Sequence, residues 1–126
     1  MKFGKSIAAA LLLCSFALAH ALELKPYSAA ALAEAQKADK PIALHFHADW
    51  CPTCRAQDQV LQSLKQESGL NLTVLQVNYD TEKDLKRRFN VRTQSTLVVL
   101  HGDRESARLV GDTSETGIRT ALKSAL

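Results

Sequence analysis

Apolar and polar residues change their period along the chain, and the changes mark out elements. Ile42 to His47 is a short apolar run of strand length. Leu72 to Asn78 alternates apolar with polar residues and carries Val74 and Val77, a strand pattern. Thr96 to Leu100 is a further apolar strand, and after the turn His101-Gly102-Asp103 the segment Ser106 to Val110 returns as the next. Helical segments lie between them. Ser28 is placed to cap an alanine-rich helix running to about Ala38, broken by Asp39-Lys40-Pro41. Cys51-Pro52 opens a second helix, since proline loses nothing in a first helical turn. Ala56, Val60, Leu61 and Leu64 recur at helical spacing and are predicted to face the core, with Gly69 as the terminator. Thr81 to Asp84 begins a third helix that ends near Phe89, and Gly111-Asp112-Thr113 leads into a last one presenting Ile118, Ala121 and Leu122, with Leu126 as a further candidate. The order α-β-α-β-α-β-β-α predicts one α/β domain whose short strands are covered by helices on both faces. Leu22 to Tyr27 is compatible with an additional short edge strand.

The first 21 residues do not fit this pattern. Met1 to Lys5 is a short positive region, Ile7 to Ala19 is apolar apart from Ser15, and Ala19-His20-Ala21 is an A-x-A cleavage pattern. Together they predict a secretory signal, residues 1–21, ahead of a domain at 22–126. The apolar run falls short of the roughly 20 residues of a membrane span, so no stable membrane insertion is expected after cleavage. An uncleaved anchor or a buried helix is the competing reading. Cys14 follows Leu13 where a lipoprotein signal has a small residue, so it counts with the removed segment. Export implies a periplasmic or secreted protein in a compartment where disulfides persist.

Charge narrows the function classes. The net charge is +3, and setting Lys2 and Lys5 aside leaves 14 basic residues against 13 acidic. That balance gives no nucleic-acid footprint. Lys86-Arg87-Arg88 reads as a solvated helix face. There is no phosphate-binding glycine loop, nucleophile elbow or paired-carboxylate motif.

The chemistry concentrates in His45-Phe46-His47-Ala48-Asp49-Trp50-Cys51-Pro52-Thr53-Cys54-Arg55. At a strand-to-helix junction the first cysteine of C-x-x-C meets free N–H groups and the positive end of the helix dipole, which favour its thiolate. The second lies one turn on and can attack a mixed disulfide formed at the first. Cys51 is therefore the expected nucleophile and Cys54 the resolving thiol. Two other readings stand beside this one. A structural staple gains little, since closing so short a loop removes only about 2 kcal/mol of chain entropy. A metal site would use His45 and His47, which share a strand face, with Cys51 and Cys54, as a metal-binding protein or metallochaperone.

The stretch Lys40 to Arg55 resembles the thioredoxin superfamily, in which a strand runs into W-C-x-x-C. Ala48-Asp49-Trp50-Cys51 looks most like the C-terminal domain of the periplasmic reductase DsbD. Val77-Asn78-Tyr79-Asp80 is similar to the family's third-strand segment, Asn90 to Leu97 to its V-R-x-x-P-T-L segment, and Val110-Gly111 to the glycine before its last helix. The resemblance implies a thioredoxin fold, with a central mixed β-sheet flanked by helices on both faces. It implies thiol–disulfide oxidoreductase activity on thiols or disulfides of other exported proteins. A redox partner would supply or remove electrons, and no prosthetic group would be needed.

Two positions depart from the family. Ser95 stands where the family has a cis-proline facing the cysteines, and a cis bond before a non-proline residue costs about 3 kcal/mol, so a trans bond is expected. The Ser95 hydroxyl is then a candidate hydrogen-bond donor to a cysteine sulfur. His45 stands where the family has a buried acid that accepts the resolving cysteine's proton, a role open to an imidazole. The resemblance further implies that Trp50 forms an apolar contact surface beside the cysteines, and that Gln94, Ser95 and Thr96 offer backbone groups to substrate. The replacement of a carboxylate points to an oxidant and the motif wording to a reductant, so the direction of electron flow stays open.

Overall fold

The computed structural model describes residues 21–126; the expected signal, residues 1–21, lies outside the described residues except for Ala21, and Cys14 lies outside them too. The elements are β1 (Glu23–Pro26), α1 (Ala29–Lys37), β2 (Pro41–His47), α2 (Pro52–Leu64), β3 (Thr73–Asn78), α3 (Lys83–Arg88), β4 (Thr96–His101), β5 (Arg104–Val110) and α4 (Glu115–Lys123). The strands form one mixed sheet in the order β1-β3-β2-β4-β5. β3 runs parallel to both β1 and β2, and β4 is antiparallel to β2 and β5. The optional edge strand exists and closes one side of the sheet.

Strand β2 lies at the centre, and its alternation divides the core. Ile42, Leu44 and Phe46 pack with Leu32 of α1 and Leu85 of α3 on one face. Ala43 packs with Leu61 and Leu64 of α2 and Ile118, Ala121 and Leu122 of α4 on the other. Phe46 is fully buried, which contributes roughly 1.5–3 kcal/mol relative to an exposed side chain. This two-faced mixed sheet is the architecture that the resemblance implies.

Local signals account for the starts of α1 and α4. Ser28 Oγ accepts from Ala31 N–H, and Ser114 Oγ accepts from Gly117 N–H. Helix α2 stops at Leu64, five residues before the expected Gly69. The polar run Lys65 to Ser68 has no apolar residue to bury, and Gly69, at φ +90°, turns the chain so that Leu70 re-enters the core. The buried stripe of α2 also differs from the expected one. It is Cys54, Gln57, Leu61 and Leu64, while Ala56 and Val60 are half-buried.

Candidate active site

Strand β2 ends at His47, and residues 48–50 turn the chain into α2. Cys51 is the N-cap of that helix in extended backbone, with Pro52 in the first turn. Its Sγ accepts from Cys54 N–H at 3.1 Å, and its carbonyl accepts from Arg55 N–H at 3.2 Å. The sulfur thus takes the place of a capping oxygen and receives one of the helix's unpaired donors. Cys51 and Cys54 form a disulfide across a Cα separation of 5.2 Å, within the range such bonds require. Both are buried, with Ala48 packed against them.

Trp50 stands out of the surface, 58% exposed. Its Nε1–H donates to Asp80 Oδ2 at 2.8 Å, which pins the ring to the turn after β3. With His47 and Asp80 it walls a cleft of about 430 Å³. The guanidinium of Arg55 donates to Asp49 O at 2.8 Å, so it is tied to the chain ahead of the motif.

His45 lies in the layer under α2, 1% exposed. Burial pushes its pKa below the ordinary 6.5, against the opposing effect of the hydrogen bond it donates to Gln57, so the ring is neutral at neutral pH. Its Nε2 is 2.9 Å from Gln57 Oε1, and the ring borders a crevice of about 150 Å³ shared with Asp58. His47 stacks edge-on to it at 5.5 Å, with Nδ1 3.7 Å from Asp49 Oδ1. Among the described residues no three His, Cys, Asp or Glu side chains converge as metal ligands. The set His45, His47, Cys51 and Cys54 does not assemble, because His45 is engaged by Gln57 and both sulfurs are in the disulfide.

Ser95 follows a trans bond, as expected, and adopts φ +56°. Its hydroxyl donates to Gln94 O at 2.6 Å and not to a cysteine sulfur. The left-handed backbone turns Cβ toward the preceding carbonyl, which captures the hydroxyl locally. Ser95 N–H donates to Phe46 O at 2.9 Å, and its carbonyl accepts from Gly111 N–H at 3.0 Å and from Gln57 Nε2 at 3.0 Å. Thr96 is already paired with Phe46 and Val110 in the sheet. Of the three residues expected to offer backbone groups, Gln94 is the one whose N–H has no acceptor among the described residues.

Gln57 was not anticipated from the sequence. The signal lay in the spacing: residues 54, 57, 61 and 64 form a single stripe, and a glutamine on a buried stripe needs partners. It has them in His45, Ser95 O and, at 3.0 Å, Asp112 O.

Residues 26–124 match the protein-family model described as Thioredoxin. The chain is 33% identical to thioredoxin-1 of Drosophila yakuba over 73 residues, 58% of this chain and 68% of that one. It is 30% identical to the thioredoxin of Alicyclobacillus acidocaldarius over 78 residues, 62% of this chain and 74% of the other. The crystal structure of Trxlp from Edwardsiella tarda superposes with a TM-score of 0.73 at 35% identity, covering 79% of this chain and 98% of that one.

Proposed function

The chain belongs to the thioredoxin family and is a thiol–disulfide oxidoreductase, and on that premise we propose that it works outside the cytoplasm, exchanging disulfides with exported proteins in the manner of the C-terminal domain of DsbD. The signal-like pattern of residues 1–21 supports export. The observation that carries the site assignment is the Cys51 sulfur at the N-cap of α2, receiving the Cys54 N–H. A thiolate there is stabilised by that donor and by the helix dipole.

In the reducing direction the Cys51 thiolate attacks a substrate disulfide, and one substrate sulfur leaves as thiolate. Cys54 then gives up its proton and attacks Cys51 Sγ, which releases the second substrate thiolate and closes the protein disulfide. Two electrons pass to the substrate, and the reverse sequence oxidises one. We assign His45 as the proton acceptor for Cys54; its Nε2–H is committed to Gln57, which leaves Nδ1 as the basic atom. Trp50 and the backbone N–H of Gln94 form the substrate-facing rim, while the backbone groups of Ser95 and Thr96 are held within the fold.

The test is the reduction potential of Cys51–Cys54 in glutathione or dithiothreitol buffers. A potential at or above about −180 mV places the protein with oxidants and isomerases; one at or below about −230 mV places it with reductants. Absence of a reversible two-electron couple would sink the assignment. Export is tested by cell fractionation with N-terminal sequencing, and a full-length chain retained in the cytoplasm would overturn that part.

A further inference from the structure

Gln57 is the polar member of an otherwise apolar buried stripe, 1% exposed. A primary amide has two N–H donors and one carbonyl acceptor, and each has a defined destination here. The donors go to Ser95 O and Asp112 O, both at 3.0 Å. The acceptor faces His45 Nε2 at 2.9 Å. The reverse orientation of the amide would set its oxygen against two carbonyl oxygens, so the network has one direction, and the proton of neutral His45 lies on Nε2. A fully satisfied buried amide specifies one arrangement, because any other leaves polar groups unpaired in a low-dielectric interior.

The three partners lie on β2, on the loop before β4, and on the turn between β5 and α4. Ser95 holds a left-handed conformation that a non-glycine residue disfavours. It has no proline ring to stiffen it, and its carbonyl is gripped by Gln57 and by Gly111 N–H.

We propose that Gln57 is a positioning residue for substrate binding: its amide clamps the Ser95 carbonyl to α2 and so fixes the 93–95 loop in the conformation that meets the substrate chain. This rests on the reading above that the loop receives substrate. Since α2 also carries both cysteines, the clamp sets the loop's distance from the reacting sulfurs.

The test uses insulin as the protein disulfide and oxidised glutathione as the small one, with the protein recycled by dithiothreitol. Gln57→Met keeps length and removes the amide. Gln57→Glu keeps an acceptor for His45 and removes both donors; it carries the test if Gln57→Met does not fold. Loss of one hydrogen bond from the loop corresponds to a rise of about tenfold in KM for insulin. Gln57→Glu keeps an acceptor for His45, so its rise in KM is expected to exceed any fall in kcat or in the glutathione rate; Gln57→Met also releases His45 Nε2–H and is expected to lower kcat as well. A fall in kcat and in the glutathione rate at constant KM would place Gln57 at the cysteine pair and overturn the proposal. So would a KM unchanged in both variants, or raised in Gln57→Met alone, which signals packing. The premise is checked separately by NMR. In Cys54→Ser, a mixed disulfide between Cys51 and a cysteine-containing peptide moves the Gln94 and Ser95 amide signals. Unmoved signals overturn the loop reading and the proposal with it; moved signals with an unchanged KM overturn only the role of Gln57.

Discussion

The indole N–H of Trp50 and the carboxylate of Asp80 meet at 2.8 Å across 30 residues of sequence. The contact orients a largely exposed ring beside the cysteine pair. Because Trp50 is the single tryptophan of the chain, the tryptophan fluorescence comes from this ring. Asp80→Ala is expected to lower its steady-state anisotropy, while Asp80→Asn, which keeps an acceptor oxygen, holds it near the parent value. Equal anisotropy in all three proteins would show that the hydrogen bond does not restrain the ring.

The two cysteines are expected to fail differently. Cys51→Ser removes the attacking sulfur and abolishes insulin reduction. Cys54→Ser leaves the attacker but not the resolver, so mixed disulfides accumulate and survive non-reducing electrophoresis. If Cys51→Ser retains activity, the order of the two thiols is wrong.

Buried His45 gives stability a pH dependence of known sign. Its folded pKa is below 6.5, so between the two values the unfolded chain binds the extra proton. The contribution is fully present above about pH 6.5 and is lost as pH falls below it, with a slope of at most about 1.4 kcal/mol per pH unit. Urea unfolding at pH 7.5, 6.5 and 5.5 measures it, and His45→Gln is expected to flatten the curve. The same slope in both proteins would assign the effect elsewhere.

The left-handed Ser95 is open to a substitution test. Glycine is at ease at φ +56° and a β-branched residue is not. Ser95→Val is expected to be less stable than Ser95→Gly by about 2 kcal/mol in urea unfolding. Equal stabilities would mean that the loop abandons this conformation on substitution.

Much of this was legible along the chain. The strand at Ile42–His47 and the cap at Ser28 follow from apolar runs and from a hydroxyl placed one residue before a helix. The position of Cys51 at the start of α2 follows from the proline after it. Gly69 has the look of a helix terminator, yet α2 ends at Leu64, where it has already run out of residues to bury. Along the sequence a sulfur is one candidate partner for the Ser95 hydroxyl, but the sign of φ decides the partner, and no side-chain pattern encodes that.

What depends on neighbours within a turn or a strand can be read along the chain: the alternation of elements, the reactive pair and its helix terminus. These rest on period and on local hydrogen bonds. It takes the packed fold to bring His45 to Gln57, 12 residues on, and Gln57 to Ser95 and Asp112, 38 and 55 residues away. A polar residue on a helical stripe announces that it needs partners, but which groups meet it is set by how the sheet and its helices pack.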